Sequence, residues 1–455
     1  MRNFLPLIAL LAVHLVACST PSTVLDISAP AVIGTGTNSS VSVDVAQAKS
    51  AVFLNWTQVD TTGPRVTWLA NQQAVNPTFS VASLSNCSEE EQVTLQVQAT
   101  DAFGNVNASQ VTIGVKELWC TYKTPAANML SNIVTRVAAN NGVIWVGTDS
   151  GLNRFDGINW QAFTEQSTAS IAGGLAANQV RALAVTSNDD VWVAVYTPSR
   201  ISTIFDTVTG VNVYHDKTKT WQHFTKGANE LNSNTVYTLA LAEPDMLVGT
   251  DTGVSTFQLA TTTWSSYSVV DKVRAITRSL TNQDWLGTDG GVFVYSDGQK
   301  VTQYDNTATG GVLVRSLITG SFDFRAAITD GQGSIWFGEG AGVARYLAPQ
   351  LQGGILPTWK LFTAGAVGGG PASNDIRAFA LDGNGNLWIA TGGGLSTFFI
   401  TGANKGQWNS FSSDLVNTPN GLQTNDVRDV TYDSENNYLW IGTNGGGLTR
   451  YWLGG

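Results

Sequence analysis

A tetrad of the form W-[hydrophobic]-[GA]-T recurs seven times in the last three quarters of this 455-residue chain, and that recurrence restricts the fold more than any other feature. The copies are Trp145-Val146-Gly147-Thr148, Trp192-Val193-Ala194-Val195, Leu247-Val248-Gly249-Thr250, Trp285-Leu286-Gly287-Thr288, Trp336-Phe337-Gly338-Glu339, Trp388-Ile389-Ala390-Thr391 and Trp440-Ile441-Gly442-Thr443. In six of them a Gly-rich turn and then G-[LV]-x-x-[FY] follow, beginning at Gly151, Gly253, Gly291, Gly342, Gly394 and Gly447; the second copy is expected to keep only Phe205. An alternating strand precedes each tetrad, as in Val180-Arg181-Ala182-Leu183-Ala184-Val185, and a strand with an aromatic pair closes the unit, as in Trp160-Gln161-Ala162-Phe163. Four short strands in each unit of about 40 to 55 residues predict the blades of a seven-bladed β-propeller.

The seventh unit ends at Leu448-Thr449-Arg450-Tyr451-Trp452-Leu453, one strand short of a blade. Leu118-Trp119-Cys120-Thr121-Tyr122 stands alone before the first unit and has the same Trp-x-x-aromatic spacing. It is expected to complete the last blade, so that the two ends of the domain pair and no sheet edge is left open to aggregation. Twelve of the fifteen Trp fall at the second-strand and fourth-strand positions and are expected to pack blade on blade. The Gly after each tetrad is expected to supply a positive φ.

Asn425-Asp426-Val427-Arg428, then Leu439-Trp440-Ile441-Gly442-Thr443, then Gly446-Gly447-Leu448-Thr449-Arg450-Tyr451 give the clearest copy of the unit. It resembles the two-component regulator propeller repeats, and the resemblance extends over nearly all of residues 117–455. The resemblance implies a sensor-type domain of the kind that hybrid histidine kinases carry in the periplasm. The sequence departs from that pattern in ending at Gly455 without a membrane helix or kinase, so signalling through a kinase on the same chain is not expected.

An Arg recurs at the start of the innermost strand, at Arg181, Arg274, Arg325, Arg377 and Arg428, with Tyr237 and Thr135 in that place in the other two blades. If this strand lines the channel, the side chains crowd one rim, where guanidinium groups would hold a carboxylate or sulfate by forked hydrogen bonds. The alternative is structural, each Arg pairing with an acid at or just after a tetrad: Asp149, Asp251, Asp289 or Glu339. Three insertions, at 206–219 in blade two, 306–324 before blade five and 347–357 in blade five, are either specificity loops or surface decoration.

Ahead of the propeller, Arg2 and the apolar run Phe4 to Ala17 read as an export signal over residues 1–17. Leu15-Val16-Ala17-Cys18 resembles the lipobox of bacterial lipoproteins, which implies lipidation at Cys18, a short tether over 18–23 and a membrane partner held by two or more acyl chains. Ser19 after the Cys implies the outer membrane if the source has two. Residues 24–116 alternate apolar and polar residues in short runs, as strands of a β-sandwich do, and resemble immunoglobulin-like domains of the polycystic-kidney-disease type, with Trp56 as a core plug. In an oxidising compartment Cys87 and Cys120 are expected either to form a disulfide or to remain buried thiols.

A formal net charge of −10 without a run of Lys or Arg argues against nucleic acid. With Cys18 lipidated, the remaining two Cys and no clustered His offer no metal site, and no cofactor is expected. Ile335-Trp336-Phe337-Gly338-Glu339 resembles the repeat of streptogramin lyases, whose site requires two His and a Glu with magnesium; after removal of the leader with His14 only His215 and His223 are at hand, near an outer strand of blade two, so no enzymatic activity is expected. The sequence therefore points to an envelope protein that either docks an envelope or surface protein partner through a propeller face or binds a small anionic ligand or glycan at the channel mouth. The first carries slightly more weight because no sensor output domain follows and the Trp are largely committed to packing.

Overall fold

A computed structural model of the chain describes residues 25–454 apart from 46–51, 62, 85–86, 88–89, 200–206, 228–229, 317–318, 348–357 and 415–420. Cys18, Phe205 and most of the 347–357 insertion lie outside the described residues. The chain divides into two compact units, Met1–Cys120 with Tyr451–Gly455, and Thr121–Arg450. The fold is almost entirely β, as the repeats require.

In the first unit, one sheet carries the order Val32–Gly34, Val106–Lys116, Glu91–Asp101, Val52–Gln58, and a second the order Ser39–Ser40, Thr78–Val81, Val66–Trp68. Val93, Leu95, Val97 and Ala99 alternate into the core between them, while Thr94, Gln96 and Gln98 face the other way. Trp56 is fully buried in this core and donates its indole N–H to the Ala74 carbonyl at 3.2 Å, so it is a packing residue between the two sheets. Cys87 and Cys120 are joined by a disulfide with Cα atoms 5.5 Å apart.

The repeats form seven four-stranded antiparallel sheets, the first six with their strands in chain order from the inside outward. The first six begin with Val134–Asn140, Gln179–Val185, Val236–Ala242, Val273–Arg278, Phe324–Thr329 and Ile376–Leu381. The seventh has the order Trp119–Tyr122, Leu448–Trp452, Tyr438–Thr443, Val427–Asp433, so a strand from before blade one supplies its outer edge. Trp119 and Tyr451 stack there with ring centroids 4.2 Å apart.

Why the tetrad has its composition is visible at the seams. The Trp of one blade packs on the third-strand aromatic of the next: Trp145 on Tyr214, Trp192 on Phe257, Trp285 on Tyr346, Trp336 on Phe398 and, across the closure, Trp440 on Phe155. The third tetrad residue is small because the following blade's inner strand presses on it: a Cβ on Gly147 would lie 2.4 Å from Val180 Cγ1, and one on Gly442 would lie 2.5 Å from Val134 Cγ1. The tetrad Thr donates its hydroxyl to the carbonyl of the glycine beginning the third strand, at 2.9 Å for Thr148 to Gly151 and 2.7 Å for Thr391 to Gly394. Those glycines have positive φ, 141° at Gly151 and 132° at Gly394, and a Cβ there would meet the backbone of the fourth strand.

Blade two corrects the expectation made for it. Its third strand is Thr207–His215, and Gly210-Val211-Asn212-Val213-Tyr214 repeats the G-[LV]-x-x-[FY] pattern in full, with Gly210 at φ 85° and its absent Cβ facing the Phe224 carbonyl. The pattern was not reduced to Phe205. The extra residues precede it, between the second and third strands, instead of filling 206–219. Those two strands also pair further than in the other blades, through Tyr196↔Val208 and Thr197↔Thr207.

Candidate functional site

Each innermost strand carries a β-bulge at its start, and the bulged residue is Thr135, Arg181, Tyr237, Arg274, Arg325, Arg377 or Arg428 in blades one to seven. A bulge takes one residue out of the ladder, so its side chain need not follow the strand's in-and-out alternation. The flanking residues, such as Val273 with Ala275 and Ile376 with Ala378, keep their register against the second strand, and Val273, Ala275 and Ile376 are buried. The result is a cavity of about 560 Å³ at the channel mouth, lined by Arg136, Arg181, Tyr237, Arg274, Asp323, Phe324, Arg325, Arg377 and Arg428. Below the rim the channel, about 670 Å³, is walled largely by small and apolar side chains such as Ala138, Ala184, Ala240, Ile276, Ala327 and Phe379.

All six residues predicted for the mouth line this cavity, and Arg136 joins them from one position later in its strand than the others. Arg136 pairs with Gly147 in the ladder, at the place where other blades have Ala182, Ala275, Ala326 or Ala378; blade seven has Asp429 there. Asp429 bridges the closing seam by accepting a hydrogen bond from the Val137 N–H at 2.8 Å, and it accepts a second from Val430 at 2.9 Å. Burial pushes its carboxyl up to about 6 even though Arg136 and these N–H groups favour the anion.

The acid partners of the arginines differ from those expected. Of Asp149, Asp251, Asp289 and Glu339, only Asp289 pairs with one of them among the described residues, its Oδ1 lying 2.6 Å from Arg274 Nε. The others come from D-x-R sequences, in which an Asp two residues before the bulged Arg shares the rim with it. Arg325 pairs with Asp323 at 2.5 Å and also with Asp375; Arg377 pairs with Asp375 at 2.7 Å and also with Asp426; Arg428 pairs with Asp426 at 3.2 Å. Three cations and three carboxylates thus alternate across blades five to seven. Burial would raise the Asp375 carboxyl, but Arg377 and Arg325 together hold it below its ordinary value.

Blades one to four have a different rim. The Arg181 guanidinium lies 4.1 Å from the Tyr196 ring centroid and 5.6 Å from that of Tyr237, and Arg274 lies 5.1 Å from Tyr237. Tyr196 sits on the lengthened hairpin of blade two, and nothing in the repeat pattern marked it.

The remaining chemistry-bearing residues lie elsewhere. Nδ1 of His215 is 2.7 Å from Asp190 Oδ1, and Nε2 of His223 is 2.5 Å from the Thr209 carbonyl; both belong to the outer half of blade two and neither lines the cavity. Among the described residues no group of three or more His, Cys, Asp or Glu is placed to hold a metal ion, and no helix is long and apolar enough to cross a membrane.

A profile of the two component regulator propeller matches residues 370–393. No curated protein matches the sequence. Among solved structures, PorZ, described as an essential bacterial surface component of the type-IX secretion system of Porphyromonas gingivalis, is 14% identical with a TM-score of 0.52, over 84% of this chain and 59% of that one. The extracellular domain of the hybrid two component system BT3049 from B. thetaiotaomicron is 19% identical with a TM-score of 0.49, over 70% of this chain and 40% of that one. Virginiamycin B lyase from Staphylococcus aureus is 10% identical with a TM-score of 0.49, over 74% and 99%. The chain therefore spans well under two thirds of the length of the first two, and at these identities what it shares with PorZ is the propeller architecture.

Proposed function

We propose that this chain is a non-catalytic envelope protein whose propeller binds a small anionic ligand at the channel mouth. The observation that carries the reading is the convergence of six guanidinium groups on one cavity of a size that small ligands occupy, in a protein whose formal net charge is −10. Guanidinium groups recognise carboxylates and other oxyanions through paired N–H donors. The export signal and lipobox supply the envelope location, with Cys18 as the anchor and the sandwich as a spacer. The sequence alone leaned toward docking of a partner protein. A docking face calls for a contiguous apolar patch, whereas the most exposed large apolar side chains of the propeller, Ile158, Val270 and Val367, lie on connections of different blades.

The test is a thermal-shift and calorimetric screen of anionic metabolites and acidic oligosaccharides against the mature chain at low salt. At least one ligand should raise the melting temperature of the wild type and lose affinity in the Arg274→Ala, Arg377→Ala double variant. If the double variant keeps every affinity and only melts earlier, the arginines are structural and the mouth is not the site.

A further inference from the structure

We infer that the ligand of the mouth is a small amphiphile, whose anionic head group meets the arginines and whose apolar tail enters the channel; the inference rests on the ligand-binding role proposed above. Arg136, Tyr237, Arg274, Arg325 and Arg377 border both the mouth cavity and the channel beneath it, so one molecule can occupy the two. A compact anion would engage the rim and leave the channel, of about 670 Å³, to water.

The channel wall is built level by level from the seven inner strands. Where these strands pair with the second residue of each tetrad they contribute Val137, Leu183, Leu239, Ile276, Ala327, Phe379 and Val430, one from every blade, and all seven border the channel. They form an apolar collar that begins two residues below the bulges, about 7 Å by the rise of a strand. The next level, opposite the first tetrad residue, carries only Ala, Thr and Ile328, so neither level has a charged side chain. The first charge on the level below is Arg278, and its guanidinium is held by Asp245 and Asp284 of the second strands at 2.6 and 2.8 Å.

Val137, Ile276 and Val430 are buried and serve the packing of the ring. Leu183, Leu239 and Phe379 are only half-buried, and each leaves part of an apolar side chain at the channel wall. Apolar walls with a few polar groups converging at one end are the usual make-up of a small-molecule site. Each methylene moved from water onto such a wall tightens binding by up to about fourfold.

Calorimetry at low salt with butanoate, hexanoate and octanoate, and with octanol as the uncharged counterpart, tests this on the full chain carrying Cys18→Ser, so that no acyl anchor competes. Octanoate is expected to bind roughly tenfold or more tighter than butanoate, with a more negative heat capacity of binding, and tighter than octanol. Ala327→Gln, which puts a long polar side chain into the collar, and Leu239→Asn should both flatten the dependence on tail length while butanoate affinity stays near that of the wild type. Octanoate binding no tighter than butanoate would overturn the inference and leave the mouth itself as the site. A dependence on tail length unchanged in both collar variants would also overturn it, by putting the tail elsewhere on the protein. Where a variant does not fold, the heat capacities of the two acids on the unsubstituted collar decide: equal values refute the buried tail. Octanol binding as tightly as octanoate would overturn the anionic head group. Failure of all three acids while other anions of the wider screen bind would overturn the amphiphile; failure of every anion would remove the underlying reading.

Discussion

Glu339 stands where five other blades have the tetrad Thr, and replacing it with Gln should change how stability depends on pH. Its side chain is fully buried at the end of Ile335–Glu339; Oε2 accepts the Val314 N–H at 3.3 Å, and Oε1 has no hydrogen-bond partner among the described residues. Burial, with Asp323 adding repulsion, pushes the carboxyl up to about 8. The folded chain therefore holds a proton between about pH 4.5 and 8 that the unfolded chain releases. Stability is fully present below the unfolded value and falls as pH rises toward the folded one. At 1.36 kcal/mol per pH unit, some 2.5 units separate pH 7 from the unfolded value, so the loss at pH 7 is on the order of 3 kcal/mol. Glu339→Gln has the same shape, keeps an acceptor for Val314 and does not ionise. Urea denaturation of both proteins from pH 5 to 8 should show the variant gaining on the wild type by about 1 kcal/mol for each pH unit, with the gain slackening toward pH 8. Asp429 also titrates in this range, but it is present in both proteins and cancels in the difference. Two stability curves that stay parallel from pH 5 to 8 would mean that Glu339 is ionised in the folded chain and that the reasoning is wrong.

Two further outcomes follow from the seams and the cross-link. Gly442→Val places a Cβ 2.5 Å from Val134 Cγ1 at the closing seam, and overpacking of this kind costs about 1 to 3 kcal/mol or more, so the melting temperature should fall while Gly445→Ala, whose Cβ would meet nothing within 4 Å but whose φ of 82° strains any side chain, falls less. Reduction of the Cys87–Cys120 disulfide, which closes a loop of sequence separation 33, should lower stability by about 4 kcal/mol in the chain-entropy model; an unchanged melting temperature in Cys87→Ser, Cys120→Ser would contradict this.

The blades were legible in the sequence because their signals are packing constraints repeated seven times. A Trp that fills one seam and a Gly that admits the next strand cannot drift without loss of fit, and the lone strand around Trp119 was placed by the same spacing. Blade two was misread because its second and third strands pair for longer, which moved an intact Gly210-to-Tyr214 copy beyond the expected interval. The rim was read in part. The bulged arginines stand eleven residues before the tetrad Trp, or twelve at Arg428, but a bulge has no periodic signature, so the orientation of the Asp two residues earlier could not be foreseen, and the acids beside the tetrad were preferred to Asp323, Asp375 and Asp426. Arg136, displaced by one position, and Tyr196, on an irregular hairpin, had no repeat to reveal them.

The seven bulges also bear on how such a molecule can diverge. A residue that leaves the ladder can be exchanged without breaking a pair of ladder hydrogen bonds. Thr135, Tyr237 and five arginines already occupy equivalent positions on one framework. The mouth can therefore vary while the ring stays intact, although in blades five to seven Asp375 and Asp426 each pair with arginines of two blades, so those positions change together.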